Sequence, residues 1–180
     1  MSKTALLVID VQNDYFPQGK MELFRAEQAL IQVNRLEDSF IKNDQPIIYI
    51  QHIANQPNAP FFEAGTDGVA LHSGLRIQAD SIVIEKHYPN SFFQTTLKAE
   101  LEQLGVEKLV ISGMMTHMCV DATSRAAAEL GYQPTIIAEA TATRQLSYAD
   151  RMVQAEDVQT ACLSAFQMFS QVVSIEDYLK

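Results

Sequence analysis

Cysteine is scarce. The chain of 180 residues carries two, Cys119 and Cys162, so no disulfide framework is implied. Basic residues are outnumbered, 13 Lys and Arg against 22 Asp and Glu, which leaves a net charge of −9. That balance speaks against nucleic acid and acidic membrane surfaces as partners. No apolar run approaches the roughly 20 residues needed to cross a bilayer, and the N-terminus lacks the basic segment and apolar run of a signal peptide. A cytoplasmic enzyme with no membrane contact is the expectation. No repeat or low-complexity segment is visible. No G-x-G-x-x-G follows a strand and no Walker-type G-x-x-x-x-G-K-[ST] occurs, so a dinucleotide or P-loop nucleotide site has no sequence support.

What is present is an alternation of short apolar runs with amphipathic stretches. The apolar fraction of 47% and the length suit one domain over 1–180 with a sizeable core. Strands are expected at 4–10 (TALLVID), 47–52 (IIYIQH), 81–85 (SIVIE), 109–111 (LVI), 134–139 (PTIIAE) and 171–175 (QVVSI). Their apolar residues run without alternation, as in a parallel sheet covered on both faces. Helices are expected at 23–43, 95–104, from near Thr116 to before Gly131, and at 148–169, with a short helical piece at 69–75. Ala26, Leu30, Val33, Leu36 and Phe40 mark the core face of the first, and Met152, Ala155, Val158, Cys162 and Phe166 that of the last. The pattern predicts an α/β fold of three layers, α/β/α, with a doubly wound, six-stranded, mainly parallel sheet. Residues 55–66 (NQPNAPFFEAGT) are too rich in Pro, Asn and Gly for a core element. They read as a lid or a subunit contact, with Phe61 and Phe62 as exposed aromatics.

Three reactive residues share equivalent places. Asp10 ends the first strand, Lys86 follows the third, and Cys119 follows the fourth. In a parallel sheet all carboxyl ends lie on one edge, so the three can converge. A thiol needs deprotonation to attack. Lys86 would lower its pKa by charge, Asp10 could take the proton, and a helix N-terminus capped by Thr116 would favour the thiolate. Each residue has a plainer reading: Asp10 as a loop cap, Lys86 as a solvated strand end beside Glu85, Cys119 as a small packing residue. Asp14 reads as a turn cap and Cys162 as core packing.

The stretches LLVIDVQNDYF (6–16), VIEKHYPNSF (83–92) and GMMTHMCVDATSRAAAELGY (113–132) together resemble the isochorismatase-like cysteine hydrolases over nearly the whole chain. The resemblance implies a catalytic triad of Asp10, Lys86 and Cys119. It also implies a non-proline cis peptide at Met114–Met115 and an oxyanion hole from the amides of Met115 and Cys119. Tyr15, Phe16, Phe92 and His117 lie in or beside the motifs as candidate pocket residues. Nicotinamidase-like members bind a divalent metal through a D-x-H pair and a later His. Here Gln51, His52 and Ile53 give no such pair, so no metal and no other cofactor is expected, with His52 and His72 as the ligands if one binds. The implied activity is acyl transfer from a small amide or related C–N compound through a thioester. The alternatives are a metal-dependent nicotinamidase-like amidase and a non-catalytic binding protein on the same fold. Self-association is implied by the resemblance alone.

Overall fold

The structure is a computed structural model and describes residues 3–180. β1 (Lys3–Ile9), β2 (Ile47–His52), β3 (Ile82–Lys86), β4 (Val106–Met114) and β5 (Gln133–Ala142) belong to one sheet, which β8 (Gln171–Val173) completes. β6 (Leu146–Tyr148) and β7 (Arg151–Val153) form a separate antiparallel hairpin. The helices are α1 (Ala26–Lys42), α2 (Leu97–Leu104), α3 (Asp121–Glu129), α4 (Ala155–Phe166) and α5 (Ile175–Tyr178). The sheet order is β3-β2-β1-β4-β5-β8, and every neighbouring pair is parallel.

Both faces of the sheet are covered, which is why its strands read as unbroken apolar runs. Along β1, Leu6 and Val8 join the layer of Leu30, Val33, Leu36 and Phe40 from α1 and Ile175 from α5. Ala5, Leu7 and Ile9 alternate to the other face, where Leu97 and Leu101 of α2, Ala127 of α3 and Phe166 of α4 pack. Strand order reverses between β1 and β4. The crevice at the carboxyl ends beside that reversal is where such a sheet places a ligand. Gly113 makes the junction tight. It sits opposite Ile9 at φ +116°, and a Cβ there would fall 2.0 Å from the Ile9 carbonyl oxygen.

Several elements differ from the sequence reading. The helix expected at 148–169 begins only at Ala155, because Ala149 adopts φ 52° and turns 146–148 back onto 151–153. Met152, placed on a core face by its spacing, is therefore 59% exposed. Thr116 is not a helix cap: the chain enters a wide turn over Thr116–Val120 from an extended Met115, and the buried Thr116 hydroxyl has no hydrogen-bond partner among the described residues. Of the expected piece at 69–75, the helical turn covers Asp67–Val69 instead. Phe62 is fully buried, against Tyr15 at 4.5 Å between ring centres. Its loop is fastened by Asp14, whose Oδ2 accepts the Phe62 amide at 2.6 Å while Oδ1 accepts that of Lys20 at 3.1 Å. Asp14 thus ties two turns together and does not face the reactive cluster.

Candidate active site

Asp10 leaves β1 in a left-handed conformation, φ 52°, which a short polar side chain tolerates. Its amide still donates to the Ile50 carbonyl at 3.0 Å, so the residue stays tied to β2. Lys86 closes β3 in register with His52, the last residue of β2. Cys119 stands in the wide turn after β4. That turn closes on the Met115 carbonyl, which accepts the amides of Met118 and Val120 at 3.0 and 3.2 Å. Such π-type turns recur at functional sites. The Met114–Met115 peptide is cis.

These segments bring the three reactive groups into one buried cluster. Asp10, Lys86 and Cys119 are each under 5% exposed. Lys86 Nζ lies 2.8 Å from Asp10 Oδ2. It also lies within hydrogen-bond distance of His52 Nδ1 at 3.1 Å, the Tyr88 carbonyl at 3.1 Å and the Pro89 carbonyl at 3.3 Å. The Asp10 contact is the shortest of these, a buried ion pair at charge-assisted hydrogen-bond distance. The plain reading of Lys86 as a solvated strand end is thus replaced by a buried ion pair.

Charge states follow from burial and neighbours. Desolvation pushes the Asp10 carboxyl up, but Lys86 and, less strongly, His52 more than offset it and leave it below its ordinary value. Burial pulls the Lys86 ammonium down, and Asp10 with Cys119 outweighs that, so it remains charged. Burial and then the Asp10 carboxylate push the Cys119 thiol well up, against a smaller pull from Lys86. The resting group is therefore a thiol beside a carboxylate. This differs from the expectation of a pre-formed thiolate: desolvation and the Asp10 charge outweigh the pull of Lys86.

The remaining candidates divide. Tyr15 is buried beside Phe61 and Phe62. Burial holds its hydroxyl well above its ordinary value, and Phe62 links it to the cluster, since the Phe62 ring lies 5.9 Å from that of His52. His117 Nδ1 meets Thr143 Oγ1 at 2.6 Å, tying the cysteine turn to the end of β5. Burial, then Arg144, lowers its pKa. Phe16 packs in the α1 layer with its ring 4.1 Å from that of His72. Phe92 does not line the cluster. It packs in the opposite layer, stacked at 5.9 Å on Tyr132, which precedes β5 at the other edge of the sheet.

Asp10, His52 and Cys119 offer one donor atom each within 4.8 Å of one another, a spacing that could hold a metal ion. The Lys86 ammonium already lies against two of those donors. A second cation there would be repelled at close range in a buried setting, so the donor set does not fit a metal while Lys86 is in place. His72 is elsewhere, its Nδ1 accepting the Gly74 amide at 3.0 Å. The sequence reading missed that His52 belongs to the cluster, and it missed Gln12 altogether. The buried Gln12 accepts the His52 amide at 2.8 Å and donates to the His52 carbonyl at 2.9 Å. Its only sequence signal was a polar residue two places beyond Asp10.

Comparison with known proteins identifies the family. The Isochorismatase domain model matches residues 4–177. The chain is 44% identical to the uncharacterised isochorismatase family protein YddQ of Bacillus subtilis (strain 168), over 98% of this chain and 99% of that protein. A crystal structure of a proposed isochorismatase hydrolase from Oleispira antarctica superposes with a TM-score of 0.94 at 38% identity, covering 98% of this chain and 96% of the other. Nicotinamidase 3 of Arabidopsis thaliana is 26% identical over 77% of this chain and 73% of its own length. The chain is a member of the isochorismatase family of hydrolases.

Proposed function

We propose that the protein is a cysteine hydrolase of a small amide or related C–N compound, with Asp10, Lys86 and Cys119 as its catalytic triad. The observation that carries the reading is the state of Asp10. It is a fully buried carboxylate, held charged by Lys86 at 2.8 Å, in the same cluster as a thiol that burial keeps protonated. That is a proton acceptor next to a proton donor.

In the proposed reaction Asp10 takes the Cys119 proton as sulfur attacks the substrate carbonyl. The developing oxyanion is received by the amides of Met115 and Cys119. Asp10 then gives its proton to the leaving nitrogen, and the C–N bond breaks to leave a thioester. A water, deprotonated by Asp10, attacks the thioester and releases the acid. The proton returns to the thiolate, and Asp10 ends as it began. Tyr15 and His117 flank the space where the substrate would sit. The name of the Arabidopsis relative, nicotinamidase, supports the amide class. No step requires a metal or another cofactor.

A panel of small amides and ureides tests this against wild type and Cys119→Ala. Wild type should turn over at least one member with a burst of released amine. Cys119→Ala should show no turnover while keeping its far-ultraviolet circular dichroism. Dialysis against a strong chelator should leave the rate unchanged. Undiminished hydrolysis by Cys119→Ala, or activity that vanishes on chelation and returns with zinc, would refute the assignment.

A further inference from the structure

We propose that Thr123 is a positioning residue: it bolts the turn that grips the Lys86 ammonium to the helix that follows Cys119, and so sets how the ammonium stands towards the thiol. Its effect on turnover rests on the amide-hydrolase reading. Its effect on the thiol does not.

A lysine ends in a compact charge on a flexible stem, so the place of its ammonium is set by what surrounds it. Two of the groups around Lys86 Nζ, the Tyr88 and Pro89 carbonyls, belong to the segment after β3. Residues 87–96 form neither helix nor strand, so no ladder holds those carbonyls. Ser91 does. Its amide donates to Thr123 Oγ1 at 3.0 Å, the two hydroxyls lie 2.8 Å apart, and its carbonyl accepts the Thr95 hydroxyl at 2.5 Å. Ser91 and Thr123 are both fully buried.

Counting donors gives the bonds a direction. A hydroxyl has one hydrogen and two lone pairs. Thr123 is the hydrogen-bond partner of Ser91 Oγ among the described residues, so the Ser91 proton goes to Thr123. The Ser91 amide and hydroxyl then fill both lone pairs of Thr123 Oγ1. The Thr123 proton is left for the Pro89 carbonyl at 3.4 Å, which also accepts from Lys86 at 3.3 Å. Thr123 lies in α3, four residues after Cys119 and four before Ala127, which both face the layer on that side of the sheet. Two stretches 32 residues apart, one carrying the lysine and one the cysteine, are thus fastened at a single hydroxyl. Thr123→Val keeps the shape and removes all of these bonds. It would leave the buried Ser91 amide and hydroxyl without an acceptor, and the turn would shift to satisfy them. Lys86 would lose its fixed place, and with it the pull that it exerts on the Cys119 thiol.

Alkylation by iodoacetamide at neutral pH tests this without any substrate, read by peptide mass spectrometry with Cys162 as internal reference. Thr123→Val should slow Cys119 about three- to tenfold, since one pKa unit is tenfold in thiolate at fixed pH. Cys162 should be unchanged. Thr123→Ser, which keeps the hydroxyl, should restore most of the rate. In a Lys86→Met background Thr123→Val should have no further effect, because no ammonium is left to misplace. A merely structural role would loosen the site and quicken Cys119 labelling in both backgrounds, which would overturn the proposal. So would a Thr123→Val rate equal to wild type. If Thr123→Val does not fold, Thr123→Ala takes its place; if Lys86→Met does not, the contrast of Val with Ser decides. Once a substrate is found, Thr123→Val should lower kcat with little change in KM. The acid limb of its pH profile should move upward, as Asp10 loses part of its charge partner. Absence of any amide turnover in wild type would sink the amide reading and leave the alkylation rates to judge Thr123.

Discussion

Asp10 carries two duties that pull a mutation in the same direction. Asp10→Asn keeps the shape and tolerates the left-handed backbone, but it strands the Lys86 ammonium in the interior. Removing one partner of a buried pair costs about 3–5 kcal/mol, so this variant should lose turnover and also unfold at lower urea than wild type. Its reactivity can be read separately. Alkylation of Cys119 by iodoacetamide should quicken in Asp10→Asn, because the carboxylate that holds the thiol pKa up is gone while Lys86 remains to draw it down. Cys162, half-buried on α4, should alkylate at an unchanged rate, as peptide mass spectrometry would show. Slower labelling of Cys119, or an equal change at both cysteines, would count against this account of the Asp10 charge. Gly113 is sensitive for a different reason. Gly113→Ala would drive a methyl group into the Ile9 backbone at the sheet's switch point. A cost of at least about 2 kcal/mol is expected, since neither backbone can yield without breaking the ladder. A melting temperature equal to wild type would show that β4 can move there.

Among the elements, α1, β2 and the loop at Arg76 meet on one buried acid. Glu37 Oε1 accepts the Tyr49 hydroxyl at 2.7 Å and the Arg76 amide at 2.8 Å. Burial holds the Glu37 carboxyl above its ordinary value despite those bonds. An acid whose pKa is raised by folding binds more protons in the native state. Its contribution to stability is full below the unfolded carboxylate pKa and falls as pH rises through the folded value. Melting temperatures of wild type and Glu37→Gln, compared from pH 4 to 8, should therefore converge as pH rises, with wild type favoured at the acid end. A constant difference would disprove the linkage. The elements also show what a sequence can reveal. The strands of the main sheet announced themselves by apolar runs between turn formers, and Asp10, Lys86 and Cys119 by their position at strand ends. The misreadings came from contacts that no local pattern records. Met152 shares the spacing of Ala155, Val158 and Phe166 but lies across a turn made by Ala149. Phe62 looked exposed because its loop is polar, and it is buried because Asp14, far away in sequence, holds its amide. His52 read only as half of a failed metal motif, since its value depends on where Lys86 points.

For the whole molecule, the β6–β7 hairpin is a conspicuous exposed feature, with Tyr148 at 89% and Met152 at 59%. If copies of the chain associate, as the family resemblance implies, this hairpin is the expected contact. Tyr148→Lys combined with Met152→Lys should then lower the mass measured by sedimentation; an unchanged mass would place any contact elsewhere. Within each copy, the sheet order has a consequence for how the protein comes into being. Lys86, His52, Asp10 and Cys119 stand on or just past β3, β2, β1 and β4, four strands that lie side by side but are joined through long crossovers. No segment made early in synthesis contains the set, and no pair of neighbouring strands suffices. The reactive cluster is thus a certificate of completed assembly. A chain that has formed its helices but not closed the β1–β4 seam would look nearly native by circular dichroism and remain inert, so catalysis should return during refolding only once β3, β2, β1 and β4 are all paired.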